Sequence, residues 1–260
     1  MFPLRAQHIL AHSLSYHTEH YLPIEPHRCS AQSLNRILTA FHHGGTYVGS
    51  LFDGQQDLID SSDVGLSYLL QGAFLCGYAR RNLLPHATTH FVKDDVYHNC
   101  GGIKKFVRGM VGMKPSDLEH LFVLARTSNE PLFELAIAGS LAEAHVVTTL
   151  LCADYTVLES TVDEDVNFSV DLIVPSKDWS IGHVLQIKSD RTLKGVLMSI
   201  TDRAKMPGLV QNAQRFSRAY EVEYTSVVVQ SGTAQGSLFN HQEYDDIANT
   251  KQFFKIFSNA

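Results

Sequence analysis

The chain has 260 residues, 44% of them hydrophobic and 18% charged, with a formal net charge of −6. That length supports one large domain or two small ones with a real core, and the composition excludes a disordered chain. The acidic balance excludes a uniformly basic nucleic-acid coat, so a polyanion would have to be met by a local patch.

Residues 1–126 read as a mainly helical, loop-rich domain. Ser33 to Phe41 is a short helix, ended by His42-His43-Gly44-Gly45, and Val64 to Leu84 is a longer one with apolar residues at helical spacing. The uncharged run Val64 to Ala79 is about four residues short of a bilayer span, so no membrane segment is expected. The N-terminal stretch has no signal-peptide apolar region. Lys104, Lys105 and Arg108 read as a small basic patch on a solvated helix face. Pro115-Ser116-Asp117 then opens a helix over Leu118 to Ala125.

Two residue types bear on chemistry in this half. The 14 histidines include the spacings His17-x-x-His20 and His86-x-x-x-His90, but neither has a second pair in a recognisable zinc frame. They read as surface and interface histidines. Cys29, Cys76, Cys100 and Cys152 are scattered and read as reduced thiols of a cytoplasmic protein.

The second half, residues 127–260, changes texture. Pro131 to Asp154 reads as one long helix with a proline in its first turn. Three strands follow, at Tyr155 to Glu159, Ser169 to Val174 and Ile181 to Lys188. Pro207 to Tyr220 is a helix, Thr225 to Gln230 a fourth strand, and Asp245 to Phe257 a terminal helix. No internal repeat or flexible linker is visible. The order predicts an α/β (α+β) fold, a small mixed sheet with helices against it.

Charge is unevenly distributed over these elements. Thr127 to Leu185 carries ten acidic residues and one basic one, Lys177, whereas Gln186 to Tyr220 carries seven basic residues against Asp190 and Asp202. Carboxylates to hold a cation, beside positive charge to hold a phosphate backbone, are what a phosphate-cutting metal site needs. Asp171 interrupts an apolar strand, which is costly unless the carboxylate is paired, ligated or near the strand end. Gln186 and Lys188 alternate with Leu185 and Ile187, so they share one face of the next strand. Glu143 is the only charge in the helical stripe Leu132, Ala136, Gly139, Glu143, Val146, Leu150.

Glu143, Asp171 and Gln186-x-Lys188, on helix, strand and strand, resemble the PD-(D/E)xK nuclease superfamily in its Gln-x-Lys variant. The element order from Pro131 to Gln230 is similar to that family's restriction-endonuclease-like αβββαβ core, and Gly139 to Glu143 is similar to its Gly-x-x-x-Glu helix. The resemblance covers residues 130–232 and not the first 126. It departs at Val170, where proline is usual, and at Gln186, whose neutral carbonyl binds a divalent cation less strongly than a carboxylate would.

The resemblance implies a magnesium-dependent nuclease, with manganese able to substitute, hydrolysing DNA rather than RNA as an endonuclease that leaves 5′-phosphate ends. Asp171, Gln186, the backbone carbonyl of Ile187 and Glu143 would hold the metal, and Lys188 would orient the attacking water. Arg191, Lys194, Arg203, Lys205, Gln211, Arg215 and Arg218 would meet the nucleic acid. The N-terminal domain would recognise the target, bind a protein partner or form a homodimer. The alternative is a non-catalytic nucleic-acid-binding or assembly protein that keeps the fold.

Overall fold

A computed structural model of the chain describes residues 93–111, 131–176, 182–190, 197–200, 207–219, 224–232 and 248–257, with Gly72 and Leu118 as isolated helical positions. The expected helix over Ser33 to Phe41, and all but one residue of those over Val64 to Leu84 and Leu118 to Ala125, lie outside the described residues. So do His17, His20, His42, His43, His86, His90 and His120.

The described elements are α1 (Lys93–Met110), α2 (Pro131–Cys152), β1 (Leu158–Glu159), α3 (Val162–Phe168), β2 (Leu172–Pro175), β3 (Gly182–Asp190), β4 (Leu197–Ile200), α4 (Pro207–Ala219), β5 (Tyr224–Gly232) and α5 (Ala248–Phe257). The five strands form one mixed sheet in the order β1-β2-β3-β5-β4. β1, β2 and β3 are an antiparallel run, β3 and β5 are parallel, and β4 closes the far edge antiparallel to β5. A parallel pair needs a crossover, and α4 lies between β3 and β5 in the chain.

Two features were not expected. Residues 162–168 are a helix, because Thr161 and Glu164 form a capping box: Glu164 N donates to Thr161 Oγ1 at 3.2 Å and Thr161 N donates to Glu164 Oε2 at 2.8 Å. Ser169 then ends that helix in the left-handed region, with φ 57°. Residues 197–200, in the basic segment ahead of the helix at Pro207, form a further strand, β4.

Strand alternation sorts the apolar residues onto two faces. Leu172, Val174, Leu185, Ile187, Val227 and Val229 belong to a large core with Phe106, Val107 and Met110 of α1, Leu141, Val146 and Leu150 of α2, and Phe253 and Phe257 of α5. Leu158, Val170, Ile173 and Val184 pack with Phe216 of α4 in a second, smaller core. α1 precedes the expected domain boundary at residue 126, yet its apolar face is part of the larger core.

α2 is buried on more than the one stripe expected of it. Ala138, Ala142, Ala144, His145 and Val147 are buried along with Ala136, Val146 and Leu150, because α1 packs on one side of α2 and the sheet on another. Leu135–Cys152 is long and apolar enough, by length and composition, to cross a bilayer, contrary to expectation; 67% of it is buried inside the fold, as in a core helix.

Gly139 is the exception on this helix. A Cβ built there meets nothing within 4 Å, so packing does not require the glycine of the Gly-x-x-x-Glu pattern. A helix-interior glycine costs about 1 kcal/mol relative to alanine. Gly139→Ala is therefore expected to raise the unfolding free energy by about 1 kcal/mol, read from the midpoint of a urea titration at unchanged slope.

Candidate functional site

β2 and β3 pair from Pro175↔Gly182 to Leu172↔Leu185, and one residue further on they part. Asp171 stands at that point. Its backbone N–H donates to Leu185 O at 2.8 Å. Its carboxylate then takes over from the ladder: Oδ2 accepts from Ile187 N at 2.5 Å and from Gln186 Nε2 at 2.7 Å. The cost of an aspartate in an apolar strand is thereby offset by two hydrogen bonds at the strand's end.

Gln186 is held by the same contact. It is 3% exposed, its amide N–H is spent on Asp171, and its Oε1 is a buried oxygen with no hydrogen-bond partner. In an extended strand a residue's N–H and C=O point to the same edge, so the Ile187 carbonyl faces the side on which Asp171 sits. Lys188 is half-buried and, among the described residues, makes no ion pair. Its charge acts on Asp171 all the same, lowering the pKa of that carboxyl.

Glu143 reaches this region from α2, which packs on the Leu185 and Ile187 face, whereas alternation puts Gln186 and Lys188 on the face of Val184. Glu143 is 9% exposed, and its carboxyl is raised well above the usual range, first by burial and then by the charge of Asp171. The four expected residues are thus brought together unequally. Asp171 and Gln186 are bonded, while Glu143 and Lys188 are tied to Asp171 through their charges.

Three residues that sequence reasoning missed complete the cluster. Lys104, expected on a solvated face, is 4% exposed. Its Nζ pairs with Asp165 Oδ2 at 3.2 Å, donates to Ser160 Oγ at 2.9 Å and approaches the Asp171 carbonyl at 3.4 Å. Burial opposes the ammonium charge, but Asp165, Glu159 and Glu143 outweigh it, and the Lys104 pKa is raised. The Ser160 hydroxyl donates between the Val170 and Asp171 carbonyls. Two of the three residues of the expected basic patch thus form internal pairs, since Arg108 also grips Glu159 Oε2 through Nε at 2.7 Å and Nη2 at 2.6 Å. The signal that could have located Lys104 was its place on one helix face with Cys100 and Val107, four residues before it and three after it, both buried.

Cys100 belongs to this network and not to a reactive site. Its thiol donates to Asp165 Oδ2 at 2.9 Å, and burial followed by the Asp165 charge pushes its pKa up. Of the expected nucleic-acid contacts, Gln211, Arg215 and Arg218 are exposed on α4, with the Arg215 guanidinium 5.9 Å from the Phe168 ring centroid. Arg191, Lys194, Arg203 and Lys205 lie outside the described residues.

Asp171, Gln186 and the Ile187 carbonyl offer oxygens of the kind that suits a hard divalent cation such as magnesium, and Glu143 bears on them through its charge on Asp171. The unpartnered Gln186 Oε1 supports that fit. Among the described residues no three His, Cys, Asp or Glu side chains group as a metal site, and this set draws only two members from those types. Comparison with protein-family models, curated proteins and solved structures finds no match to the chain.

Burial, followed by the Asp165 charge, pushes the Asp171 carboxyl up to about 8, against the opposing pull of Lys104, the Ile187 N–H and Lys188. An acid whose folded pKa exceeds its unfolded value of about 4 binds more protons folded than unfolded between the two, so stability falls as pH rises through that window. His183, whose pKa burial lowers, does not produce this slope, whereas Glu143, also raised, adds to it in the same direction. In chelator, the melting temperature is expected to rise as pH falls from about 9 to about 7, and Asp171→Asn is expected to flatten that slope.

Proposed function

We propose that the chain is a magnesium-dependent nuclease of restriction-endonuclease-like fold, hydrolysing phosphodiester bonds in DNA as an endonuclease. The observation that carries this reading is the arrangement at the end of β2. Asp171 is held by Gln186 and the Ile187 N–H, Gln186 Oε1 is buried without a partner, and Lys188 stands two residues on with no ion pair among the described residues. The order α2, β1, β2, β3, α4, β5 also supports it, with β3 and β5 parallel across α4. The inserted α3 and the edge strand β4 are additions to the six-element core implied by the resemblance.

Asp171, Glu143, Gln186 and the Ile187 carbonyl would hold the metal. Magnesium bound there would supply Lewis-acid polarisation of the scissile phosphate and acidify adjacent water. Lys188, the most open of the four side chains, would orient that water and offset negative charge developing on the phosphate. Arg215, Arg218 and Gln211 would grip the backbone through charge-assisted bonds that carry no sequence information. Gln186, neutral where a carboxylate is usual, leaves the site's affinity for the ion modest.

One observation favours the alternative, a non-catalytic nucleic-acid-binding or assembly protein on this fold. The Lys104 ammonium already sits among the acids, so part of their charge is balanced without a metal. Plasmid cleavage separates the two readings. Wild type in magnesium or manganese is expected to nick supercoiled DNA and leave 5′-phosphates. Asp171→Ala and Lys188→Ala should each slow cleavage at least about 100-fold with DNA binding retained. DNA bound but left intact by wild type would establish the alternative.

Gln186→Glu adds a charged oxygen at the ligand position. It is expected to lower the magnesium concentration needed for half-maximal binding, measured by calorimetric titration. An unchanged value would remove Gln186 from the metal's shell.

A further inference from the structure

Lys104 is the least expected member of the cluster. It comes from α1, upstream of the segment that resembles a nuclease core, and crosses to the point where three later segments meet. Its ammonium touches Ser160 at the end of β1, Asp165 in α3 and the backbone carbonyl of Asp171 at the start of β2. Ser160 reinforces the same point, its N–H and its hydroxyl both donating to the Asp171 carbonyl, at 3.4 and 3.0 Å. Asp171 is thus held at both ends. Lys104 and Ser160 take its carbonyl, while Ile187 and Gln186 take its carboxylate.

We propose that Lys104 is a positioning residue for Asp171: by clamping that residue's backbone to β1 and α3, it aims the carboxylate at Ile187 and Gln186 and makes α1 part of the cation site. The proposal rests on the reading that Asp171 and Gln186 hold a divalent ion. A lysine beside a cation site ordinarily repels the cation. Charge alone therefore predicts that removing Lys104 tightens divalent-ion binding. Positioning predicts the opposite sign, because loss of an outer contact that orients a ligand typically weakens metal affinity about 10- to 100-fold.

The sign is measurable on the full chain with manganese alone, by electron paramagnetic resonance titration below the melting temperature of each variant. Lys104→Met keeps the length of the side chain and removes its charge. It is expected to weaken manganese binding about 10-fold or more, and Lys104→Arg to recover most of the loss. Arg108→Met is the control: it breaks the neighbouring tie between α1 and β1, at Glu159, without touching Asp171. It should lower stability and leave manganese affinity within about threefold. Ser160→Ala removes one anchor of the clamp and should weaken binding in the same direction, which keeps the test open should Lys104→Met fail to fold.

Manganese bound by wild type, with unchanged or tighter binding in Lys104→Met, or in Ser160→Ala where the former does not fold, would overturn the positioning role alone. Equal weakening in Arg108→Met would reduce Lys104 to a packing contact and overturn it likewise. A wild type that binds no manganese at millimolar concentration would remove the cation site itself, and this role with it.

Discussion

The Asp171 carboxylate bridges the place where β2 leaves β3, and the rest of the site follows from that bridge. A strand that parts from its neighbour leaves backbone groups without ladder partners, and a buried unpaired N–H costs about 1–3 kcal/mol. Here the Ile187 N–H is satisfied by a side chain and not by a backbone carbonyl. That substitution lets the sheet open at one end without losing the bond, and it fixes the carboxylate against β3. The Gln186 amide adds a second donor to the same oxygen, so the acid's orientation is set before any ligand arrives.

Such a cluster has to balance its charge internally. Burial raises the carboxyls of Glu143 and Asp171, and the nearby charge of Asp165 raises both further. Two cations from α1 counter this. Arg108 takes Glu159 in a two-nitrogen grip, and Lys104 takes Asp165. Truncating one partner of a buried pair typically costs 3–5 kcal/mol because the other charge is stranded. α1 is therefore bound to β1 and α3 by charge as well as by Phe106 and Met110 in the core.

What the sequence revealed, and what it hid, follows from which interactions are local. The helix at Pro131, all four expected strands and the helix at Pro207 came within a few residues of their observed limits, because proline position and β-branched runs act over short spans. The polar face of Gln186 and Lys188 was readable from strand alternation alone. Helix α3 was also written locally, in Thr161-x-x-Glu164, but seven residues with three consecutive acids gave too short an apolar pattern to outweigh the reading of three successive strands. Lys104 could not be placed the same way. Whether a lysine is solvated or buried depends on what lies opposite it, and Asp165 and Asp171 are 61 and 67 positions away. The stripe on α2 is buried as expected but too narrow for the same reason: it presumed one partner face, whereas α1 covers a second.

Glutamine at position 186 has a physical logic in this setting. A carboxylate there would face Asp171 across a hydrogen-bond distance, and two such acids cannot both ionise at low cost. One would have to keep a proton to preserve the contact, and the pKa of the pair would climb further. The amide avoids the conflict. Its N–H stabilises the charged form of Asp171, and its oxygen remains a neutral acceptor that needs no deprotonation. The cluster is then less strained without an ion, and an ion bound there would meet weaker electrostatic attraction than two carboxylates would give it. Because Lys104 already supplies a fixed positive charge on the far side of Asp171, the cluster holds its shape by internal pairing, and a cation bound there would add to that pairing rather than create it.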